Sequence, residues 1–228
     1  MKVIAHRGGR GFGTDNTLAA MEKAVRSGVR AIETDVRATA DGALLICHDA
    51  TVWGRLVRRS TFEEFRRHAP ERPLLSEVLE SLAGWVSFNL EIKEAPALDV
   101  GEMLEPFGIS RDTLITSFDM DFIAEYKRLL PDTETGFLYR MPYGRDGKFE
   151  RVREAGAHIV APHFSSIDEA LVHEAHAEGL EVYAWTVDDE HDVRKLHAWG
   201  VDAVITDRYL EVRDLIGRLE AGGGAGNG

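Results

Sequence analysis

From residue 87 to the C-terminus, short apolar runs rich in β-branched residues alternate with segments of helical period. The runs are SFNLEIK (87–93), TLITSF (113–118), ETGFLY (134–139), HIVAPH (158–163), EVYAWTV (181–187) and AVITD (203–207). Between and after them, apolar residues recur at intervals of three and four, over about 98–107, 120–130, 148–155, 167–178, 189–199 and 209–219. A brief apolar run followed each time by an amphipathic helix is the signature of buried parallel strands. The same alternation opens the chain. KVIAHRG (2–8) reads as a strand, and a helix follows with Leu18, Met21, Ala24 and Val25 on one face. Asp15 or Asn16 is the expected N-cap and Gly28 the expected stop. AIETDV begins a strand at Ala31 that runs on through Arg37, Ala38 and Thr39, and Asp41-Gly42 is a hairpin-type turn into ALLICHD (43–49). Leu75–Leu82 reads as a helix capped by Ser76. About eight strand–helix units in one chain of 228 residues predict a (β/α)8 TIM barrel, with ALLICHD as an extension above it and not a ninth stave. An open doubly wound sheet accounts less well for alternation that continues unbroken to the end. Residues 1–220 are expected to form one domain. Within it, 50–73 is a short arginine-rich insertion carrying a helix near 62–68, and the tail 221–228, AGGGAGNG, is expected to be disordered.

Composition narrows the function classes without changing that picture. With 44% hydrophobic and 29% charged residues, the chain is an ordinary globular protein. No apolar run approaches the ~20 residues that cross a bilayer. The start, MKVIAHRGG, lacks the apolar core of a secretory signal. A single cysteine, Cys47, cannot form an internal disulfide and suits a reducing, cytoplasmic setting; the mature sequence alone leaves a processed, exported form open. A net charge of −12 argues against a nucleic-acid partner. It leaves room for a small anionic substrate where a metal or local basic residues reverse the field. No stable membrane association is expected, and the sequence leaves the oligomeric state open.

A barrel places its active site at the C-terminal ends of its strands, and the unusual polar residues fall there. His6 and Arg7 end the first strand, and His48 ends the hairpin strand. Glu33 and Asp35 are two apart on one strand and share a face, as do Asn89, Glu91 and Lys93 on another. Two carboxylates side by side repel unless a cation, a shared proton or a basic partner lies between them. Taken singly, Glu33 and Asp35 fit a solvated edge strand, and Glu91 with Lys93 fits an interior ion pair. Taken together, Glu33, Asp35 and Glu91 form a hard, all-oxygen set that suits Mg²⁺ or Ca²⁺. The glycine-rich GGRGFG (8–13) mimics a dinucleotide loop, but the G-x-G-x-x-G register fails at Arg10 or Thr14. Cys47 alternates away from His48 and reads as a buried thiol. His68, His173, His176, His191 and His197 read as surface residues, and His163 as structural. The arginines at 55, 58, 59, 66 and 67 read as a solvated face. Attraction of an anionic substrate is the alternative.

Several motifs occur in a familiar order: HRG (6–8), DNT (15–17), ETDVRAT (33–39) with DG and HD after it, PLLSEVL (73–79), NLEIK (89–93), TSFD (116–119), AWTVDD (184–189) and GVDAVITD (200–207). Together they resemble the glycerophosphodiester phosphodiesterase family over residues 3–207. The resemblance implies a barrel hydrolase with a divalent metal on Glu33, Asp35 and Glu91. It implies catalytic histidines at His6 and His48, Arg7 and Lys93 near the phosphate, and Trp185 lining the site. The expected substrate is a small glycerophosphodiester, cleaved to glycerol 3-phosphate and an alcohol. A lysophospholipase D or phospholipase C-like activity, or a catalytically idle phosphate-ester-binding barrel, is the alternative. Two features depart from the family: Asp15 stands where Glu is usual, and the segment after His48-Asp49 is short, which leaves the leaving alcohol open.

Overall fold

The computed structural model describes residues 1–109, 113–140 and 148–223. In chain order the strands are β1 Lys2–Ala5, β2 Ala31–Ala38, β3 Leu44–Ile46, β4 Thr51–Val52, β5 Arg55–Leu56, β6 Ser87–Glu94, β7 Thr113–Ser117, β8 Glu134–Tyr139, β9 Ile159–Pro162, β10 Glu181–Ala184 and β11 Ala203–Thr206. Eight of them pair in parallel in the closed order β1-β2-β6-β7-β8-β9-β10-β11 and back to β1. This is the TIM barrel that the alternation predicts. Strand β3 pairs antiparallel with the far end of β2, so the hairpin extends the sheet above the barrel.

Helices follow the staves as α1 Leu18–Arg26, α3 Leu75–Leu82, α4 Ala97–Leu104, α5 Met120–Leu129, α6 Lys148–Glu154, α7 Glu169–Ala177, α8 Glu190–Ala198 and α9 Tyr209–Gly223, with α2 Phe62–His68 inside the insertion. Alternation along each strand divides the core in two. Ile4, Leu114, Ile159, Tyr183 and Ile205 pack with one another as one cluster. Ile32, Val36, Leu90 and Ile92 pack instead with Leu75, Val78 and Leu79 of α3. Among the described residues no helix is long and apolar enough to cross a membrane.

Three local expectations change. Thr17, not Asp15 or Asn16, caps α1, accepting from Ala20 N at 3.4 Å. Asn16 adopts φ 55 and turns its side chain inward. Leu74, not Ser76, is the cap residue of α3, and the Glu77 carboxylate receives its N–H at 2.8 Å. Ala221–Gly223, expected in a disordered tail, instead extend α9, while 224–228 lie outside the described residues. The insertion folds onto the hairpin through Leu45, Cys47, Val57 and Phe65, with Val52 and Phe62 against them. Trp53, at 74% exposure, does not join that cluster and stands out from its surface.

Candidate active site

The site begins with three buried carboxylates. Glu33 and Asp35 project from one face of β2, and the parallel register sets Asp35 opposite Glu91 on β6. One oxygen from each lies within 4.8 Å of the others. Each is at most 9% exposed, so water stabilises their charge little. Burial, then the fields of Asp35 and Glu91, push Glu33 well above its ordinary range. Burial and Asp35 push Glu91 up to about 7 against the pull of Lys93. The Lys93 ammonium lies 3.2 Å from Asp35 Oδ1 and abuts Glu91. Backbone and amide donors complete the set: Arg7 N donates to Glu33 Oε2, and Asn16 Nδ2 to Asp35 Oδ2, both at 2.8 Å. Burial, with the mutual repulsion of the carboxylates, favours the neutral form of Glu33 and of Glu91. An oxygen-only, electron-rich donor set of this kind fits a hard divalent cation.

Arg7 reaches this set because its backbone turns left-handed, at φ 49. Its guanidinium is anchored by Asp15 Oδ2 at 3.2 Å, and Arg72 from the insertion holds the Asp15 carbonyl at 2.9 Å. The shorter acid at position 15 therefore still grips Arg7. Asn16 ties the same loop to β2, since Thr34 Oγ1 donates to its Oδ1 at 2.7 Å. The glycine-rich loop beyond Arg7 is packed, not open for a nucleotide: a Cβ on Gly11 would sit 2.5 Å from the Asp207 carbonyl oxygen.

Each proposed catalytic histidine leans on a carboxylate. His6 Nδ1 is 2.6 Å from Asp207 Oδ1, and His48 Nδ1 is 2.8 Å from Asp49 Oδ1. A carboxylate on Nδ1 favours the proton there and leaves Nε2 as the working nitrogen. Burial raises the Asp207 carboxyl, but the bond to His6 and the charges of His6, Arg10 and Arg7 hold it below its ordinary value. Asp207 is itself fixed, because its N–H and Thr206 Oγ1 both donate to Asp188 Oδ1 at 2.8 Å. On the other side, Arg37 Nε donates to the His48 carbonyl at 3.1 Å and steadies that loop from β2. Asp207, Asp49, Asn16 and Arg37 are the neighbours of the candidate residues that the sequence does not single out as part of the site. The one available signal is that TD and HD each stand at or just past the end of a strand.

The opposite side of the mouth is aromatic. Trp185 Nε1 donates to the Ala161 carbonyl at 2.7 Å, which fixes the indole. Phe118 and His163 meet it edge-on, with centroids at 5.7 and 5.2 Å. Lys93 Nζ is 5.5 Å from the Phe118 centroid, so this wall touches the carboxylate side through Lys93. His163 holds the structural role expected of it, with Nδ1 2.8 Å from Ser165 Oγ and accepting from Ser165 N, and it also stands in the wall; burial and Arg140 hold its pKa down. Cys47 is buried, with Sγ on the Asp49 carbonyl at 3.2 Å, and burial raises its thiol pKa, which makes it a poor nucleophile. Arg55, Arg58, Arg66 and Arg67 pair with Glu64, Glu94, Glu77 and Glu63, as a solvated face does.

Known proteins resemble this chain over nearly its whole length. Residues 6–211 match the glycerophosphoryl diester phosphodiesterase family. A glycerophosphodiester phosphodiesterase from Caldanaerobacter subterraneus is 31% identical, with 97% of this chain and 98% of that protein covered. Among solved structures, an Oleispira antarctica phosphodiesterase in complex with the product sn-glycerol-3-phosphate superposes with a TM-score of 0.85 at 25% identity, covering 95% of this chain and 96% of that one. A glycerophosphodiester phosphodiesterase from Parabacteroides distasonis gives 0.83 at 26% identity, covering 96% and 98%. The chain belongs to the glycerophosphoryl diester phosphodiesterase family. It is an enzyme, a phosphoric diester hydrolase.

Proposed function

We propose that the chain is a divalent-metal-dependent, cytoplasmic glycerophosphodiester phosphodiesterase. Its substrates are small, deacylated phospholipid headgroup diesters, and its products are glycerol 3-phosphate and an alcohol. The observation that carries this reading is the buried, charge-deficient set Glu33, Asp35 and Glu91, flanked by two histidines that each rest on an aspartate. Residues 1–220 act as one phosphodiesterase domain, with 50–73 as an insertion beside the mouth.

Glu33, Asp35 and Glu91 would hold Mg²⁺ or Ca²⁺, which when bound supplies positive charge to a phosphoryl oxygen. Arg7 and Lys93 add positive charge around the same phosphate. One of His6 and His48 accepts a proton at Nε2 from the nucleophile as its oxygen bonds to phosphorus. The other delivers a proton from Nε2 to the departing alcohol oxygen as that bond breaks. The nucleophile is water, or the neighbouring glycerol hydroxyl followed by water. Asp207 and Asp49 keep each imidazole oriented and stabilise it when charged. Trp185 bounds the pocket on the side away from the metal ligands.

The test is release of glycerol 3-phosphate from glycerophosphoglycerol, glycerophosphoinositol and glycerophosphocholine, by chelated protein and after adding Mg²⁺ or Ca²⁺. Turnover that chelation abolishes and one cation restores is expected. Unchanged turnover in excess chelator would remove the metal from the mechanism. Absence of turnover on every diester would overturn the activity.

A further inference from the structure

An aromatic wall beside a phosphate site suits the quaternary ammonium of a choline ester, provided that the ring faces are open to it. Here each ring already carries one of the protein's own cations over one face. Lys93 Nζ stands 5.5 Å from the Phe118 centroid, and Arg140 Cζ stands 5.1 Å from that of Trp185. An ammonium headgroup arriving at the Trp185 ring meets a charge of its own sign, whereas the Lys93 charge at Phe118 is already shared with Asp35 and Glu91.

Lys93 and Phe118 also line a neighbouring cavity of about 540 Å³, within the range of small-molecule sites. Its polar lining mixes donors and acceptors, Lys93 and Arg151 with Asp119 and Asp121, while the Ser117 hydroxyl is already engaged, donating to the Ile92 carbonyl at 2.9 Å and accepting from Asp119 N at 3.1 Å. Asp119 Oδ1 is engaged in capping α5, accepting from Asp121 N at 2.9 Å and Phe122 N at 3.3 Å. Hydroxyl groups donate and accept at once, so a mixed lining can satisfy several of them. A trimethylammonium group donates no hydrogen bond and gains nothing from Arg151 or Lys93.

We infer that the leaving-alcohol side of this site takes an uncharged polyol, glycerol or a cyclitol, in preference to a quaternary ammonium alcohol. The inference rests on the phosphodiesterase reading and adds to it the chemistry of the alcohol.

The experiment compares kcat/KM of the full chain on glycerophosphoglycerol, glycerophosphoinositol and glycerophosphocholine, with the activating cation present. The polyol diesters are expected to exceed the choline diester by about tenfold. Arg140→Gln, which uncovers the Trp185 face, is expected to narrow that ratio about threefold by raising the choline value. Arg151→Gln is expected to lower the polyol values more than the choline value. Equal kcat/KM on the three diesters would overturn the inference. So would a ratio that neither variant moves, including one in which all three substrates fall by the same factor. Absence of turnover on every diester would overturn the phosphodiesterase reading and this inference with it.

Discussion

The two ends of the barrel handle charge in opposite ways. At the N-terminal end, Lys2 Nζ meets Tyr183 Oη at 3.1 Å and Glu181 at 3.5 Å, and the Lys2 and Glu181 side chains are each about half or more exposed. The chain's amino group pairs with the exposed Glu220 at 2.9 Å. These charges are matched and in contact with water, so any one of them contributes little to stability. At the C-terminal end, the Lys93 ammonium pairs with Asp35 and Glu91 but not with Glu33, and Glu33 and Glu91 are pushed toward the neutral form. Buried charge without a counter-charge is a destabilising arrangement that a fold keeps only where it serves function. The contrast makes the C-terminal end the place where an incoming cation would find unmatched carboxylates.

The largest expected effect follows from removing that demand. Glu91→Gln should lower turnover by about a thousandfold or more. Because it also removes a poorly compensated buried charge, it should raise the melting temperature of the chelated protein at pH 8. Loss of turnover together with lower stability would point to a structural ion pair instead. Next in size, His6→Ala and His48→Ala should each lower kcat by about 10² to 10⁴-fold while cation affinity, measured by calorimetry, stays within about threefold. Near-normal rates in either variant would remove that histidine from proton transfer. Asp207→Asn should lower kcat by at least about tenfold, through the wrong His6 tautomer, and shift the pH–rate profile with little change in KM.

The pH dependence of stability separates the two ends further. Glu91 sits at about 7 in the fold, above the ordinary carboxyl value of the unfolded chain, and Glu33 is displaced in the same direction. A raised folded pKa favours the fold below the unfolded value, and that advantage is lost as pH rises through the folded one. The chelated protein should therefore lose several degrees of melting temperature between pH 5 and pH 8. A saturating divalent cation should reverse the trend, because it binds only the deprotonated set. At the small end of the scale, Lys2→Met should change stability by less than about 1 kcal/mol and leave kcat unaltered.

The barrel is legible in the sequence because parallel strands buried on both faces leave continuous apolar runs, and here a helix follows each one. Glu33, Asp35, Glu91 and Lys93 are legible for a related reason: charge in such a run is conspicuous, and the two-residue period fixes its face. What reads less clearly depends on tertiary closure. Asp207 lies 201 positions from His6 in the chain, and only the pairing of β1 with β11 brings them together. Asn16 sits where a helix cap belongs, but its left-handed backbone sends the amide to Asp35 instead. The covering of Phe118 and Trp185 by Lys93 and Arg140 joins residues from four separate segments and leaves no local pattern.

Calorimetric titration of the chelated protein with Mg²⁺ and with Ca²⁺ at pH 8 tests most directly whether the buried carboxylates form a cation site. One ion per chain is expected, with proton release on binding, and that binding should disappear in Glu33→Gln and in Glu91→Gln while the circular dichroism spectrum is unchanged. Binding of undiminished affinity in both variants, or none in the parent protein, would contradict it.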